Sequence, residues 1–212
     1  VPLLYKAIKI QVLQLGYGSG WQTYLSQALE NDLEMDEETA KKVVEEFRSV
    51  NKPIVDLWDE LGKGLREAAA GSYLPDRQNG QFIVDLPSGR QLVYKNLARR
   101  IQKSEVDENG KTKVKWGISA QVGKKTAFLY GGKLVENLIQ ATARDVFATK
   151  LYGLRKMGTR MLWTIHDEVV MEIPTPSKPS HSSILHEFRK PVEWLPNCPL
   201  DAELSVVPHY QK

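Results

Sequence analysis

The chain has 212 residues, 42% of them apolar and 26% charged, a balance that fits one large or two small globular domains and excludes wholesale disorder and fibrous repeats. Its 29 Lys and Arg against 26 Asp and Glu leave a net charge of +3, too mild to establish a nucleic-acid partner and no obstacle to one. No apolar run nears the roughly 18–20 residues of a membrane helix, and the single cysteine, Cys198, excludes an intrachain disulfide and a thiolate zinc cluster; a soluble, cytoplasmic protein is expected.

The chain opens Val1-Pro2-Leu3-Leu4-Tyr5, straight into an amphipathic segment with no Met or leader, and is read as a piece of something longer, processed or split. Over residues 3–18, Leu4, Ile8, Val12 and Leu15 make one apolar helical face. The stretch from Lys9 to Leu15 alternates enough to pass for a strand, but the helical spacing covers more residues. The glycines at 16, 18 and 20 end this helix, and Trp21 to Leu29 starts another. Asp36-Glu37-Glu38 is an acidic helix start that complements the positive N-terminal end of the dipole. Val43, Val44, Phe47 and Val50 carry an apolar face to Pro53, which should kink or divide the helix, and Ile54, Leu57, Trp58, Leu61 and Leu65 resume it to Gly71.

Residues 72–118 carry two hairpin signals, Leu86-Pro87-Ser88-Gly89-Arg90 and Asp107-Glu108-Asn109-Gly110-Lys111, flanked by β-formers such as Phe82-Ile83-Val84 and Leu92-Val93-Tyr94. Arg99, Arg100, Lys103, Lys111, Lys113, Lys115, Lys124 and Lys125 cluster here, either as a solvated hairpin face or as a phosphate-contacting patch. A long helix follows Gly131-Gly132 over 131–152. Val135, Ile139, Thr142 and Val146 line one side, and Lys133, Asn137, Gln140 and Arg144 another. Such a polar stripe is either the wet side of a helix or the amide-and-cation mixture that contacts base edges and phosphates. Two apolar runs, Met161–Ile165 and Val169–Ile173, bracket His166-Asp167-Glu168 and predict a tight hairpin with both carboxylates at its tip. A Pro/Ser-rich loop over 174–183, a short helix at Ile184–Arg189 and a last strand at Ala202–Val207 close an α+β chain.

Gly16-x-Gly18-x-Gly20 is out of register with a dinucleotide fingerprint and precedes no βαβ unit. No Walker A loop, no H-E-x-x-H and no G-x-S-x-G is present. On a helix, Lys9, Leu13 and Tyr17 share one face over about 12 Å, a cation, an apolar contact and a ring that suit a triphosphate, a sugar and a base. Adjacent carboxylates at Asp167 and Glu168 repel one another. They form either an ordinary polar turn or a site for a hard cation such as Mg²⁺.

Three signals in order, Lys9-x₇-Tyr17-Gly18, the run from Tyr130-Gly131-Gly132-Lys133 to Arg144-Asp145, and Ile165-His166-Asp167-Glu168-Val169-Val170, resemble the family A (polymerase I type) DNA polymerases. Leu86-Pro87-Ser88-Gly89-Arg90-x-Leu92-x-Tyr94 and Gly131-Gly132-Lys133-Leu134-Val135-Glu136-Asn137 are similar to the phage version of that family. The resemblance covers essentially all 212 residues.

It implies a helical fingers subdomain over 1–71, a hairpin-rich insertion and return to the palm over 72–130, and palm with a DNA-contacting helix and the His-Asp-Glu hairpin over 131–212. Lys9 is then the fingers lysine on the nucleotide phosphates and counts with Asp167 as catalytic; Leu13, Tyr17 and Gly18 complete the nucleotide site. Gln140 resembles the residue beside the primer terminus, with Asn137 and Arg144 as neighbours on DNA and His166 near the primer 3′ end. Asp167 resembles one of the two palm aspartates that bind Mg²⁺, and Glu168 its accessory carboxylate. Tyr5 stands where the family usually has Arg, leaving Lys6 as a substitute, and Leu13 replaces an aromatic found in many members. The first palm motif, Asp-Tyr-Ser-x-x-Glu, is absent from the sequence. The implied protein is therefore the C-terminal part of a template-directed polymerase that uses primer-template DNA and dNTPs and is inactive without an N-terminal partner or remainder. The alternative is a nucleic-acid-binding remnant without catalysis. If phage-encoded, it would act in the host cytoplasm.

Overall fold

A computed structural model describes residues 2–71, 80–106, 109, 112–122, 124–173 and 179–210. The fold is α+β, as expected, with helices flanking a four-stranded antiparallel sheet and a separate two-stranded hairpin. Two compact units divide it: residues 1–84 with 91–138, and residues 85–90 with 139–212. No helix among the described residues is long and apolar enough to cross a membrane.

In the first unit, α1 (Pro2–Leu15), α2 (Trp21–Glu30), α3 (Glu37–Val50) and α4 (Lys52–Gly71) precede the sheet β1 (Phe82–Asp85), β2 (Gln91–Val106), β3 (Thr112–Val122) and β4 (Lys125–Leu129), whose spatial order is the chain order. The helical reading of the first segment holds. It stops where the Ser19 N–H reaches the Gln14 carbonyl and the Gly18 N–H the Leu15 carbonyl, with Gly18 at φ +81°, a Schellman ending that needs a left-handed residue. The same pattern ends α2, with Asp32 at φ +58° in the glycine position. Asp36 accepts the Thr39 N–H at 2.7 Å and caps α3. Pro53 divides the helices as anticipated: α3 ends at Val50, and Pro53 lies in the first turn of α4, where its missing N–H has no intrahelical partner to lose.

The apolar face expected on α1 needs correction. Of its four residues only Leu15 is buried, while Leu4, Ile8 and Val12 are 50–66% exposed. Ile10, on another side of the helix, packs on the core instead, and Leu15 is covered because it shares a cluster with Trp58. That cluster also holds Tyr24, Ala40, Val44, Phe47 and Val135, and a second one joins Leu65, Ala69, Val84, Tyr94, Leu97, Ala120, Leu129 and Leu134. The consecutive residues Leu134 and Val135 thus serve both cores.

Between β1 and β2 the Leu86 N–H donates to the Arg90 carbonyl and the Gly89 N–H to the Leu86 carbonyl, with Gly89 at φ +83°. This is the type I turn with a left-handed glycine that a Pro-Ser-Gly loop favours. The second hairpin pairs as expected, Val106 opposite Thr112; apart from Asn109 its tip, with Lys111, lies outside the described residues.

Helix α5 (Gly131–Lys156) contributes residues 131–138 to the first unit and the remainder to the second. Its expected apolar side is only partly right, since Val135 is buried but Ile139 is 47% exposed; Phe147, Lys150 and Leu154 are the buried positions further along. A Schellman ending with Gly158 at φ +83° stops it. Then β5 (Arg160–Ile165) pairs antiparallel with β6 (Glu168–Glu172), and α6 (His181–Arg189) begins three residues earlier than expected because Ser180 accepts the Ser183 N–H. The last strand does not form. Residues 201–207 run without strand pairing: the Asp201 carboxylate and Ala202 carbonyl are held by Arg189, and Val206 and Val207 are more than half exposed, so alternation there has no sheet to join.

At Gly132, an added Cβ would lie 2.0 Å from the Tyr17 carbonyl oxygen, whereas at Gly89 it would meet nothing within 4 Å. Gly132→Ala should therefore lower unfolding free energy by about 3 kcal/mol, as overpacking against immovable backbone does. Gly89→Ala should cost only about 1 kcal/mol, the left-handed penalty. Urea denaturation of the two variants checks the ranking.

Candidate functional site

Each unit carries part of the set singled out by sequence. In the first, Lys9 and Leu13 lie one helical turn apart on the exposed side of α1. Lys9 has no ion pair or hydrogen bond among the described residues, so its charge is uncommitted. Lys6, the substitute cation, pairs instead with Asp32 at 3.5 Å across exposed surface. Tyr17 and Gly18 form the Schellman stop, so the helical face continues two residues beyond the regular helix and then breaks. That break is clamped: the Trp58 indole N–H donates to the Gly16 carbonyl at 3.1 Å, and the Gly18 Cβ position lies 3.6 Å from Gly132 Cα.

The run from Gly131 to Asn137 is legible residue by residue. At Gly131 a Cβ would lie 1.9 Å from the Trp58 carbonyl oxygen, so both glycines admit a backbone approach that any side chain blocks. Lys133 pairs with Glu136 at 2.7 Å, and Leu134 and Val135 enter the cores. The Asn137 amide donates to the Tyr94 hydroxyl at 2.9 Å. Burial raises the pKa of Tyr94, opposed by that hydrogen bond and by the Lys133 charge. The Asn137 side chain is thus engaged within the unit.

In the second unit, Gln140 and Arg144 are exposed one turn apart on α5, with the Arg144 guanidinium 5.5 Å from the Phe147 ring centroid. His166 and Asp167 make the two-residue turn between Ile165 and its partner Glu168. His166 has φ +52°, a left-handed conformation that costs a non-glycine residue of order 1 kcal/mol or more. Glu168 is the first residue of β6 rather than part of the tip, so it and Asp167 are adjacent, exposed carboxylates at the mouth of a hairpin. Asp167 has no ion pair or hydrogen bond among the described residues. Oxygen ligands of this kind fit a hard divalent cation, but no group of three or more His, Cys, Asp or Glu capable of holding a metal occurs among the described residues.

Two features escaped the sequence reading. Tyr210 sets its ring edge-on to Trp163 of β5, centroids 5.8 Å apart. Its hydroxyl is shielded from solvent without a well-formed hydrogen bond; desolvation first, and then the nearby Glu168 carboxylate, raise its pKa. Nothing in a loop-like C-terminal segment signals such a contact. The second is Asp145, whose carboxylate accepts from Ser88 and from the Arg90 guanidinium at 2.9 Å. Ser88-Gly89-Arg90 and Arg144-Asp145 are the only signal, two conspicuous sequences more than 50 residues apart.

The full length of the chain aligns with a DNA polymerase of Bacillus phage SP02, 32% identical over 226 aligned positions, and spans 33% of that relative's length. No protein-family profile and no solved structure matches the chain.

The Asp145 cluster yields a prediction. Asp145→Ala removes the carboxylate that holds both Ser88 and Arg90 of the 86–90 turn and should speed exchange of the Leu86 and Gly89 amide hydrogens by roughly tenfold, corresponding to a lost charge-assisted bond of about 1.5 kcal/mol. Hydrogen exchange read by NMR checks it.

Proposed function

We propose that this chain is the fingers and palm portion of a template-directed DNA polymerase of the family A type. The observation that carries the reading is the full-length alignment with the phage SP02 DNA polymerase. Three further features support it: Lys9 is an uncommitted cation on an exposed helix face, Tyr17-Gly18 is held rigidly at the end of that face, and Asp167 is an uncommitted carboxylate in a hairpin turn.

In the proposed reaction a primer 3′-hydroxyl attacks the α-phosphate of a dNTP, a bond forms between that oxygen and phosphorus, and pyrophosphate leaves. Asp167, with Glu168 beside it, would hold Mg²⁺, which supplies activation of the attacking oxygen and stabilisation of the leaving one when bound. Lys9 neutralises charge on the triphosphate and stabilises the transition state as negative charge shifts to the leaving group. Tyr17 offers a ring to the base at the templating position, with Gly18 keeping the backbone open beside it. Leu13 replaces a larger ring against the sugar. Gln140, Arg144 and His166 contact the primer-template, and Asn137 supports that helix through Tyr94. A two-metal site takes two aspartates from different strands, so the second is assigned to polypeptide beyond these 212 residues, in the same chain or in a partner.

Primer extension with Mg²⁺ tests the reading, using the chain alone and the chain supplemented with the portion of the phage relative outside the matched third. The supplemented enzyme should extend a primer, the chain alone should not, and Asp167→Asn should lower the supplemented rate at least 1,000-fold with little change in DNA affinity, a loss of about 4 kcal/mol of transition-state stabilisation. Wild-type turnover by Asp167→Asn would overturn the palm assignment, and DNA binding without any extension would leave a binding remnant. Separately, Lys9→Ala should raise the dNTP KM and lower kcat while primer-template affinity stays within twofold; steady-state kinetics with varied dNTP read both.

A further inference from the structure

The segment from Gln91 to Leu129 holds nine Lys and Arg against three Asp and Glu, a net charge of +6 in a chain whose total is +3. None of these residues has a part in the reaction above. Strand β3 alternates regularly, with Ile118 and Ala120 packed on the core, so Lys115, Gly117 and Gln121 point to the opposite face. Their partners on β2 are Lys103, Arg100 and Lys95, and directly paired residues share a face. At positions 95, 100 and 103 a regular strand would send the middle cation to the other side. Two extra residues in β2, one between Lys95 and Ala98 and one between Ile101 and Lys103, correct that parity. The first irregularity contains Asn96 at φ +55°, whose side-chain amide donates to Gln121.

The bulges therefore gather cations that the sequence period would disperse. At one end of the row lies an open cavity of about 220 Å³ bounded by Asn96, Arg100, Gln121, Lys124, Lys125 and Thr126. Three cations, two amides and a hydroxyl line it, with no carboxylate. Arg100, Lys115, Lys124 and Lys125 have no ion pair or hydrogen bond among the described residues. Lysines directly opposite one another, as at 103 and 115, repel and weaken a sheet. Gathering such charge around a cavity that no carboxylate lines suits a polyanion, and its extent along the ribbon suits a polymer rather than a single anion. A guanidinium fork, ammonium groups, amides and a hydroxyl are the donors that take phosphodiester oxygens without reading sequence.

We infer that this face of the β2–β3–β4 sheet is a second nucleic-acid site, gripping the sugar-phosphate backbone of DNA through residues that take no part in the proposed reaction. The inference rests on the reading of the protein as acting on DNA. Its test is fluorescence anisotropy of the full-length protein with a labelled primer-template between 50 and 200 mM salt. Each phosphate contact contributes about 0.9 to the log–log salt slope for duplex, so the triple variant Arg100→Gln, Lys115→Gln, Lys124→Gln should flatten it by about 2.7 and weaken binding at least tenfold at 50 mM. A control removing equal charge from α3 and α4 (Lys41→Gln, Lys52→Gln, Lys63→Gln) should leave the slope within 0.5. Matching slopes for the triple variant and wild type would overturn the inference, as would equal flattening by the control. Loss of tripolyphosphate binding with the DNA slope intact would also overturn it, assigning the face to free polyphosphate. A flattened slope accompanied by Asp167-independent extension would keep this surface and remove the palm assignment.

Discussion

The first unit is organised around one close backbone approach. Gly131 and Gly132 set the start of α5 against the carbonyls of Trp58 and Tyr17, at a separation where any β-carbon would overlap an oxygen. Trp58 in turn donates to the Gly16 carbonyl, so the end of α1, the middle of α4 and the beginning of α5 are fixed by one cluster of main chain and one indole. Because carbonyls cannot retreat as flexible side chains do, this contact admits little variation. The two cores meet their shared helix just beyond it, at Leu134 and Val135.

That constraint gives the proposed nucleotide face its geometry. An exposed helix with Lys9 and Leu13 would slide or fray if its end were free; the left-handed Gly18 and the clamp at Gly16–Tyr17 stop it at a defined residue. The hairpin of the second unit uses strain rather than clamping. His166 occupies a left-handed conformation, and the turn it makes holds Asp167 and Glu168 adjacent, which is unfavourable for two carboxylates until a counter-charge arrives. Strained turns and uncommitted charges of this kind concentrate where a protein binds or reacts.

Much of this was legible from residue spacing. Caps and stops such as Asp36, Pro53, Gly89 and the helix-ending glycines act locally, through main-chain hydrogen bonds within a few residues, so the sequence announces them. Burial was less legible. Leu4, Ile8 and Val12 form a sound amphipathic pattern yet face outward, and Ala202, Leu204 and Val206 alternate with Glu203 and Ser205 without joining a sheet, because both depend on what surface is present to cover them. The basic cluster was visible in the sequence, but its alignment on one face of β2 was not, because period-2 reading assumes no bulges and two of them reverse the parity of Arg100 relative to Lys95 and Lys103. Of the candidate site, the sequence singled out Lys9, Tyr17 and the run His166-Asp167-Glu168. It missed the engagement of Asn137 with Tyr94 and the approach of Tyr210 to Glu168, which join residues 43 and 42 positions apart.

The central claim, that the turn at Asp167 holds a divalent cation during nucleotidyl transfer, is most directly tested by replacing Mg²⁺ with Fe²⁺ in the assembly with primer-template and dNTP. Ascorbate and peroxide then make the bound iron cut nearby peptide bonds. The account predicts scission within residues 165–169 that is suppressed by excess Mg²⁺ and lost in Asp167→Asn. Cutting that ignores both Mg²⁺ and the substitution, or that spares this hairpin while mapping elsewhere, would contradict it.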